Sequence, residues 1–299
     1  MEAACELGHQ VWATQAKDLS LVAGKASAML EQVNITPIQE IDGKWVAAKP
    51  WYEIIDRAFL PLEEMDAVFM RTDPPVNVPY LYATYILDYI NPEKTLVINN
   101  PKGIRTANEK MYALQFTKVI PETIVSQDKK VIREFVEKQG AAILKPLGGK
   151  AGEGILYLEI GDRNFNSLIE ISTRNGRKPV MVQKFLPEAK NGDKRIILLN
   201  GKAIGAVNRI SGSNNEFRNN MAVGGNVEKA EITPQDNIIC NELADKLRED
   251  GLYFVGIDII GNYLTEVNVT SPTCVREIDL FNNTRLGQQV IEWIAKSKP

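Results

Sequence analysis

Near its C-terminus the chain reads Val255-Gly-Ile-Asp258-Ile-Ile-Gly-Asn-Tyr-Leu-Thr-Glu266-Val-Asn268-Val-Thr-Ser271-Pro-Thr273. Two strongly apolar runs flank Gly261-Asn262, a dipeptide typical of a hairpin turn. Asp258, Glu266 and Asn268 lie within these runs, where an unpaired carboxylate is costly, and no adjacent residue is basic. Oxygen-bearing side chains of this kind are ligands for Mg²⁺, which usually shares them with phosphates. The hairpin is therefore predicted to hold Mg²⁺ and a nucleotide.

The register of this hairpin determines whether the three side chains can meet. A regular ladder from a two-residue turn would pair Ile260 with Tyr263 and Asp258 with Thr265, and Glu266 would face the other side of the sheet. A three-residue loop or a bulge would instead pair Ile260 with Leu264 and Asp258 with Glu266. The magnesium hypothesis requires this second arrangement. Two solvated acids on an exposed sheet face are the alternative.

The composition is that of an ordinary globular protein. The chain has 299 residues, 44% hydrophobic and 24% charged, which favours two or three lobes. The net charge is −3 and no run of Lys or Arg exceeds two residues, so neither nucleic-acid nor membrane binding is expected. No apolar stretch reaches the ~18 residues of a membrane span, and the N-terminus lacks a signal-peptide pattern.

Histidine and cysteine usage argues against several classes of site. The chain has one histidine, His9, which disfavours a Ser-His-Asp triad and a His-rich zinc site. The three cysteines, Cys5, Cys240 and Cys274, are odd in number and far apart. They are typical of free thiols in a reducing cytoplasm, which is the expected location of the protein.

Strands alternating with helices predict a parallel α/β sheet over about residues 1–100. The pattern predicts helices at 2–7 and 79–90, strands at 9–13, 65–70 and 95–99, and irregular strands over 17–50. Beyond residue 100 it predicts a helix beginning at Asn108, further helices at 128–139, 164–172, 234–249 and 283–296, and strands at 141–146, 155–160 and 180–187. Asn200-Gly201 predicts a hairpin turn, and residues 211–226 form a polar, glycine- and asparagine-rich segment.

A glycine-rich loop follows a strand that ends in Lys145-Pro146. Its glycines are Gly148, Gly149, Gly152 and Gly154. Glycines let backbone N–H groups approach a phosphate closely, although the spacing matches neither GxxxxGK[ST] nor GxGxxG. A flexible hairpin tip is the alternative. Lys145, at the strand end beside the loop, favours the phosphate interpretation.

Two further groups of residues have the chemistry of a nucleotide site. Gln183-Lys184-Phe185-Leu186 ends an apolar strand and could offer backbone groups to a purine edge, although a plain strand end is an equal alternative. Arg195 and Arg209 lie at the ends of one predicted hairpin, and Arg218 lies in the polar segment. Converging guanidinium groups neutralise a transferring phosphoryl group, but each arginine alone is more often a surface residue.

Together these stretches resemble the bacterial-type glutathione synthetases of the ATP-grasp superfamily. The matching strings are Met70-Arg-Thr-Asp-Pro-Pro75, Tyr82-Ala-Thr-Tyr-Ile-Leu87, Asn108-Glu-Lys110, Ile143-Leu-Lys-Pro146, Gly192-Asp-Lys-Arg195 and residues 254–276. The resemblance implies an α/β fold with a Rossmann-like pre-ATP-grasp lobe at 1–105, followed by an ATP-grasp domain at 106–299 with a lid at about 211–226. It also implies a homotetramer.

The resemblance further implies a reaction and its residues. ATP would phosphorylate a carboxylate of γ-glutamylcysteine, and glycine would attack the acyl phosphate to give glutathione, ADP and phosphate. Mg²⁺, or Mn²⁺, would be held by Asp258, Glu266 and Asn268. ATP would be bound by Lys110, Lys145, the glycines at 148, 149, 152 and 154, residues 183–186 and Asp193. Arg195, Arg209 and Arg218 would be catalytic, and Arg71, Ser271 and Thr273 would contact the peptide.

Two departures from the family pattern affect these expectations. The family normally has a strand and a loop before the helix that ends near Leu7, so this strand and loop, roughly twenty residues together, are expected to be missing. The lid carries Asn219 where a glycine usually follows the arginine. Another ATP-grasp carboxylate–amine ligase, such as a D-alanine–D-alanine-like enzyme, and a non-catalytic ATP-binding module are the alternative functions.

Overall fold

The computed structural model describes residues 1–41, 44–148, 152–211 and 226–297, and the chain is a mixed α/β protein. The helices are α1 (Glu2–Glu6), α2 (Val78–Leu87), α3 (Pro101–Thr106), α4 (Lys129–Gln139), α5 (Phe165–Ser172), α6 (Pro234–Glu249), α7 (Val275–Asn282) and α8 (Leu286–Lys296). The strands are β1 (Val11–Ala13), β2 (Leu19–Val22), β3 (Lys25–Ile35), β4 (Gln39–Ile41), β5 (Lys44–Val46), β6 (Tyr52–Pro61), β7 (Ala67–Phe69), β8 (Leu96–Ile98), β9 (Thr123–Ser126), β10 (Ala141–Pro146), β11 (Leu156–Glu159), β12 (Val180–Lys184), β13 (Asp193–Leu199), β14 (Lys202–Ile210), β15 (Asn226–Lys229), β16 (Phe254–Ile260) and β17 (Tyr263–Asn268).

The N-terminal lobe is largely antiparallel. β1, β2 and β6 each pair with β3 in antiparallel register, and β7 with β8 is the one parallel pair in the described ranges. The prediction of a parallel sheet over residues 1–100 is therefore wrong except for β7 and β8, which α2 connects. The cause is local: Ala23 and Gly24 both have positive φ and form a two-residue turn, and such turns join only antiparallel neighbours.

Two further antiparallel sheets form in the C-terminal part of the chain. The smaller sheet has the order β11-β10-β12-β9. Its core packs Ile132 and Val136 of α4 and Ile169 of α5 against Leu144 and Val182. The larger sheet has the order β15-β14-β13-β16-β17, so β13 lies at its centre, between the β14 and β16 strands.

The central strand β13 separates two hydrophobic cores by simple alternation. Ile196 and Leu198 point into the core that contains Ile239 and Leu243 of α6. Ile197 and Leu199 point the other way, into the core formed with α7 and α8. Asp193 and Arg195 share this second face but lie at the opposite end of the strand, beyond the apolar residues. This face of the sheet is therefore apolar at one end and charged at the other.

Most predicted helices are present, but three segments differ. Asn108 does not begin an α-helix: its side chain accepts hydrogen bonds from the amides of Lys110 and Met111, and only a 3₁₀ turn follows at Tyr112–Gln115. Asn100-Pro101 opens α3, with Asn100 accepting from the Lys102 amide. Helix α7 was also not predicted. Both missed helices are short, and tertiary packing decides whether short helices form.

Candidate active site between the two C-terminal sheets

Four buried charges lie on one face of the larger sheet as cross-strand pairs. Asp193 is opposite Arg209 on β14, and Arg195 is opposite Asp258 on β16. Asp258 is 2% exposed and Arg195 is 5% exposed. The Arg195 guanidinium donates to both carboxylate oxygens of Asp258, with Nη2 to Oδ2 at 2.9 Å. Directly opposed side chains meet on a sheet, and here Arg195 and Asp258 form a two-pronged ion pair, whereas Arg209 bonds Asp193 through Nη2 alone.

Arg209 connects the two pairs into one network. Its Nη2 lies 2.5 Å from Asp193 Oδ2 and 3.0 Å from Asp258 Oδ2. The sequence-based argument that Asp258 has no basic partner is therefore wrong, because the partners come from neighbouring strands. Among the described residues, Asp193 Oδ1 and Arg209 Nε are buried without a hydrogen-bond partner. Such atoms are costly in a native structure and occur at functional sites.

The two carboxylates of this network have opposite pKa shifts. Burial alone would raise the pKa of Asp258, but the charges of Arg195 and Arg209 outweigh burial and hold that pKa below its ordinary value. Burial raises the pKa of Asp193 to about 6; Asp258 acts in the same direction, and Arg209 opposes it. Asp258 therefore keeps its charge to a lower pH than an ordinary aspartate, whereas Asp193 stays protonated to a higher pH than an ordinary aspartate.

A bulge brings the hairpin acids to one face. Ile260 pairs with Tyr263 across a two-residue turn, yet Asp258 pairs with Glu266, because Thr265 is an extra residue on β17. Thr265 Oγ1 donates to the Asp258 carbonyl at 3.1 Å. The turn has two residues, as in the first predicted alternative, whereas Asp258 is opposite Glu266, as in the second. This is the register that the magnesium hypothesis requires.

The three candidate metal ligands lie close together. Asn268 Nδ2 is 3.2 Å from Asp258 Oδ2, and Asn268 pairs with Gly256 on the same ladder that pairs Asp258 with Glu266. In the part of the chain that the structure describes, no group of three or more His, Cys, Asp or Glu side chains could hold a metal. Two carboxylates and an amide oxygen on one face nevertheless fit a hard divalent cation that takes its other oxygens from a nucleotide.

Two lysines approach this face. Lys110 is buried and its Nζ is 2.9 Å from Glu266 Oε1. Lys145 lies on the smaller sheet, where its Nζ donates to Gln183 Oε1 at 2.8 Å. Burial lowers the pKa of Lys145, Lys110 acts in the same direction, and the charges of Glu266, Asp193 and Asp258 oppose it. Asn108 donates to the Leu147 carbonyl beside the smaller sheet while Lys110 bonds Glu266 of the larger sheet, so the site lies between the two sheets.

The predicted adenine segment is anchored by its own backbone. The amides of Lys184 and Phe185 donate to the carbonyls of Glu122 and Ala141, and the Leu186 carbonyl accepts from Ala189. Phe185 packs edge-on against Tyr157, with ring centroids 5.1 Å apart. The Lys184 side chain is exposed and 3.6 Å from Glu122. Gln183 is buried between Lys145 and Thr123, so it orients the lysine.

The glycine-rich loop after β10 has one exposed glycine, Gly148, and two glycines with positive φ, Gly152 and Gly154. Gly154 lies so close to Pro146 that a Cβ would clash with the proline ring. A side chain at Gly154 is therefore excluded both by the backbone conformation and by space. Gly149, Arg218 and most of the lid predicted at about 211–226 lie outside the described residues.

The predicted peptide-binding residues lie at a junction of the two lobes. Arg71 Nη2 donates to the Pro272 carbonyl at 2.8 Å, and its guanidinium lies 5.3 Å from the centre of the Phe254 ring. Ser271 Oγ donates to Asp73 at 2.7 Å. Thr273 is exposed. These contacts bring residues 71–73 of the first lobe to residues 271–273.

Sequence reasoning missed two residues that organise the site. Asn99 is buried and bonds Phe254 and Val269, which lie on either side of the hairpin. Glu109 accepts hydrogen bonds from residues 269 and 270. A signal was available for Glu109, since it is the middle residue of the string Asn108-Glu-Lys110. Asn99 carried no comparable signal, because an asparagine after a strand usually indicates a turn.

Family models match both parts of the chain. The model described as the prokaryotic glutathione synthetase N-terminal domain matches residues 1–105. The model described as the prokaryotic glutathione synthetase ATP-grasp domain matches residues 109–283. Together they include every described residue of the candidate site.

Solved structures support the same fold. The chain is similar to the ATP-grasp ligase PsnB complexed with a precursor peptide and AMPPNP, with a TM-score of 0.61, 16% identity and coverage of 99% of this chain and 92% of that one. It is also similar to the macrocyclase MdnC of Microcystis aeruginosa, with a TM-score of 0.60, 15% identity and coverage of 99% and 94%. At these identities the likeness concerns the fold, and the ATP-grasp fold predicted from the sequence is confirmed.

Curated relatives are much closer in sequence. A protein named glutathione synthetase from Nostoc sp. is 68% identical over 297 residues, covering 99% of this chain and 91% of the relative. A protein of the same name from Thermosynechococcus vestitus is 61% identical over 294 residues, covering 98% and 92%. With the two family models, these relatives establish that the chain belongs to the prokaryotic glutathione synthetase family.

Proposed function

We propose that this protein joins γ-glutamylcysteine to glycine, consuming ATP and releasing glutathione, ADP and phosphate. The observation that carries the proposal is identity of 57–68% to four proteins named glutathione synthetase, over at least 97% of the chain. The buried charges between the two C-terminal sheets support it. Acyl-phosphate chemistry depends on positioning and charge neutralisation more than on a protein nucleophile, so the single histidine is no obstacle.

The basic residues of the site suit the phosphoryl-transfer step. Lys110 and Lys145 would bind the phosphates of ATP as point charges. Arg195 and Arg209, with Arg218 from the lid, would neutralise the charge that develops on the acyl phosphate and on the tetrahedral intermediate. Asp258 keeps Arg195 and Arg209 in fixed orientations, which avoids reorganisation during the reaction.

Asp258, Glu266 and Asn268 would hold the divalent cation. The family resemblance favours Mg²⁺ and allows Mn²⁺. When bound, the cation would neutralise phosphate charge and order the ATP oxygens for in-line transfer. Lys110 bonds the same Glu266 carboxylate, which restricts the orientation of that ligand.

The remaining predicted residues would bind the rest of the substrates. Glycines 148, 149, 152 and 154 would cover the phosphates, residues 183–186 would border the adenine, and Asp193 would contact the ribose. Arg71, Ser271 and Thr273 would contact the peptide. The lid at about 211–226 would exclude water from the acyl phosphate.

The deciding experiment is product identification by mass spectrometry. The protein is mixed with ATP, Mg²⁺, γ-glutamylcysteine and glycine, and we expect a stoichiometric yield of glutathione, ADP and phosphate. Parallel reactions with D-alanine test the runner-up ligase activity. ADP formed only with D-alanine would replace the proposal with that activity. A rise in melting temperature with Mg·ATP, without turnover of any amine, would indicate a binding module.

Location and assembly follow from the same resemblance. We expect the protein to act in the cytoplasm as a homotetramer. All three cysteines are free, in agreement with a reducing compartment. Within the described ranges, no helix combines the length and apolarity needed to cross a bilayer. Light scattering of the purified protein would measure the number of subunits.

A further inference from the structure

Glu109 makes several hydrogen bonds to the end of β17 and to the residues that follow this strand. Its Oε1 accepts three hydrogen bonds: from the Val269 amide at 3.1 Å, the Thr270 amide at 3.3 Å and Thr270 Oγ1 at 2.8 Å. Its own carbonyl accepts from the Val267 amide at 3.0 Å. Four hydrogen bonds therefore connect this one residue to residues 267–270.

These bonds satisfy the backbone where it leaves the sheet. β17 ends at Asn268, so the next amides have no place in the β16–β17 ladder. Val269 and Thr270 are both buried, and buried backbone donors without partners are costly. Glu109 supplies the acceptor for both amides, and Asn99 donates to the Val269 carbonyl at 2.8 Å. The path of the chain at 269–270 is thus set by side chains from outside the hairpin.

Residues 269–270 lie between two proposed ligand contacts. Asn268, on its N-terminal side, is assigned to the cation, and Ser271, on its C-terminal side, is assigned to the peptide. The neighbours of Glu109 bond other parts of the site: Asn108 Nδ2 donates to the Leu147 carbonyl at 3.0 Å, and Lys110 pairs with Glu266. Glu109 is accordingly the member of this tripeptide that bonds residues 267, 269 and 270.

We propose that Glu109 is a positioning residue, whose single oxygen fixes residues 269–270 and thereby sets the distance between the cation ligand Asn268 and the peptide contact Ser271. The proposal rests on the proposed function and adds a role for a residue outside the nucleotide and peptide contacts. It assigns the role to the hydrogen-bond acceptor and not to the negative charge, because all three side-chain bonds converge on one oxygen.

The test compares Glu109→Ala with Glu109→Gln. Glutamine retains a carbonyl oxygen that can accept the same three bonds, whereas alanine retains none. For Glu109→Ala we expect about tenfold weaker Mg²⁺-dependent ADP binding by calorimetry and about tenfold higher KM for γ-glutamylcysteine, with ADP affinity in EDTA unchanged. Glu109→Gln should stay within about threefold of the unmodified protein on both measures. Glu137→Ala, at an exposed position on α4, is the control and should change neither.

Thr270→Val provides a graded variant, since it removes the hydroxyl bond and keeps both amide bonds. We expect a shift of about threefold in the same two quantities. If Glu109→Ala does not fold, this variant and Glu109→Gln decide the question. The proposal would be overturned if Glu109→Ala left Mg²⁺-dependent ADP binding and the KM unchanged. If Glu109→Ala does not fold, the same result for Thr270→Val would overturn it. Equal damage from glutamine and alanine would also overturn it, because charge would then be the requirement.

Failure of the proposed function is distinguishable from failure of this inference. If the unmodified protein makes no glutathione, the proposed reaction is wrong. The calorimetric comparison of Mg²⁺-dependent ADP binding needs no turnover and still tests the role of Glu109.

Discussion

At the scale of single residues, the site depends on how two arginines are divided between two buried aspartates. Asp258 is bonded by both Arg195 and Arg209, whereas Asp193 is bonded by Arg209 alone. The carboxylate with two cations keeps its charge into acid, and the carboxylate with one has its pKa raised to about 6. Burial opposes ionisation of both carboxylates, so the number of cationic partners decides whether the pKa of each is raised or lowered.

A pH dependence of stability follows for Asp193. Its folded-state pKa is above the unfolded value, so the stability it contributes is present below about pH 4 and is lost as the pH rises through about 6. The loss is on the order of 3 kcal/mol. Urea unfolding should therefore give a free-energy difference, unmodified protein minus Asp193→Asn, that falls between pH 4 and pH 7. A difference that rises with pH would show that Arg209 outweighs burial.

At the scale of elements, the first turn of helix α6 adds a polar connection to the larger sheet, beside the apolar packing of Ile239 and Leu243. The Thr233 side chain accepts from the Asp236 amide, and Asp236 Oδ2 accepts from the Thr233 amide, which forms a capping box. Asp236 is buried and also bonds Lys194 Nζ at 2.6 Å. Lys194 lies on β13 between Asp193 and Arg195, so this cap connects the helix to the strand that carries the site.

Thr233→Ala should lower the free energy of unfolding by about 1 kcal/mol, because it removes the acceptor for a helix N-terminal amide. Chemical denaturation followed by circular dichroism measures the change. Asn164→Ala is the matched control, since Asn164 precedes α5 without a side-chain capping bond. Equal losses in the two variants would contradict a specific role for the cap.

At the scale of the whole molecule, Asn99 connects the first lobe to the hairpin. It is 4% exposed, and its side chain donates to the carbonyls of Phe254 and Val269 and accepts from the Phe254 amide, each at 2.8 Å. Arg71 and Ser271 add contacts between the lobes nearby. The peptide-binding and nucleotide-binding parts of the proposed site are therefore held in one arrangement by a few polar side chains.

Asn99→Ala should destabilise the protein on the order of 3–5 kcal/mol, because three buried backbone groups lose their partner. Urea unfolding monitored by tryptophan fluorescence measures the change. The exposed Asn34 on β3 gives the control variant Asn34→Ala, expected within about 0.5 kcal/mol of the unmodified protein. A loss below about 1 kcal/mol for Asn99→Ala would mean that the backbone groups find other partners.

The amino-acid sequence alone determined the elements whose signals are local. Asp128 caps α4, Asn200-Gly201 turns the β13–β14 hairpin, and the apolar runs around Gly261-Asn262 form β16 and β17. It also identified the acids of the hairpin as chemically anomalous, because burial of a carboxylate needs a partner wherever it occurs. Only the tertiary structure decided which partners they have. Arg195 is 63 residues from Asp258 in the chain, and a bulge at Thr265, not the turn, sets the register of Glu266. Contacts between distant strands and one-residue shifts in a ladder depend on how whole sheets pack, and sequence periodicity carries no information about either.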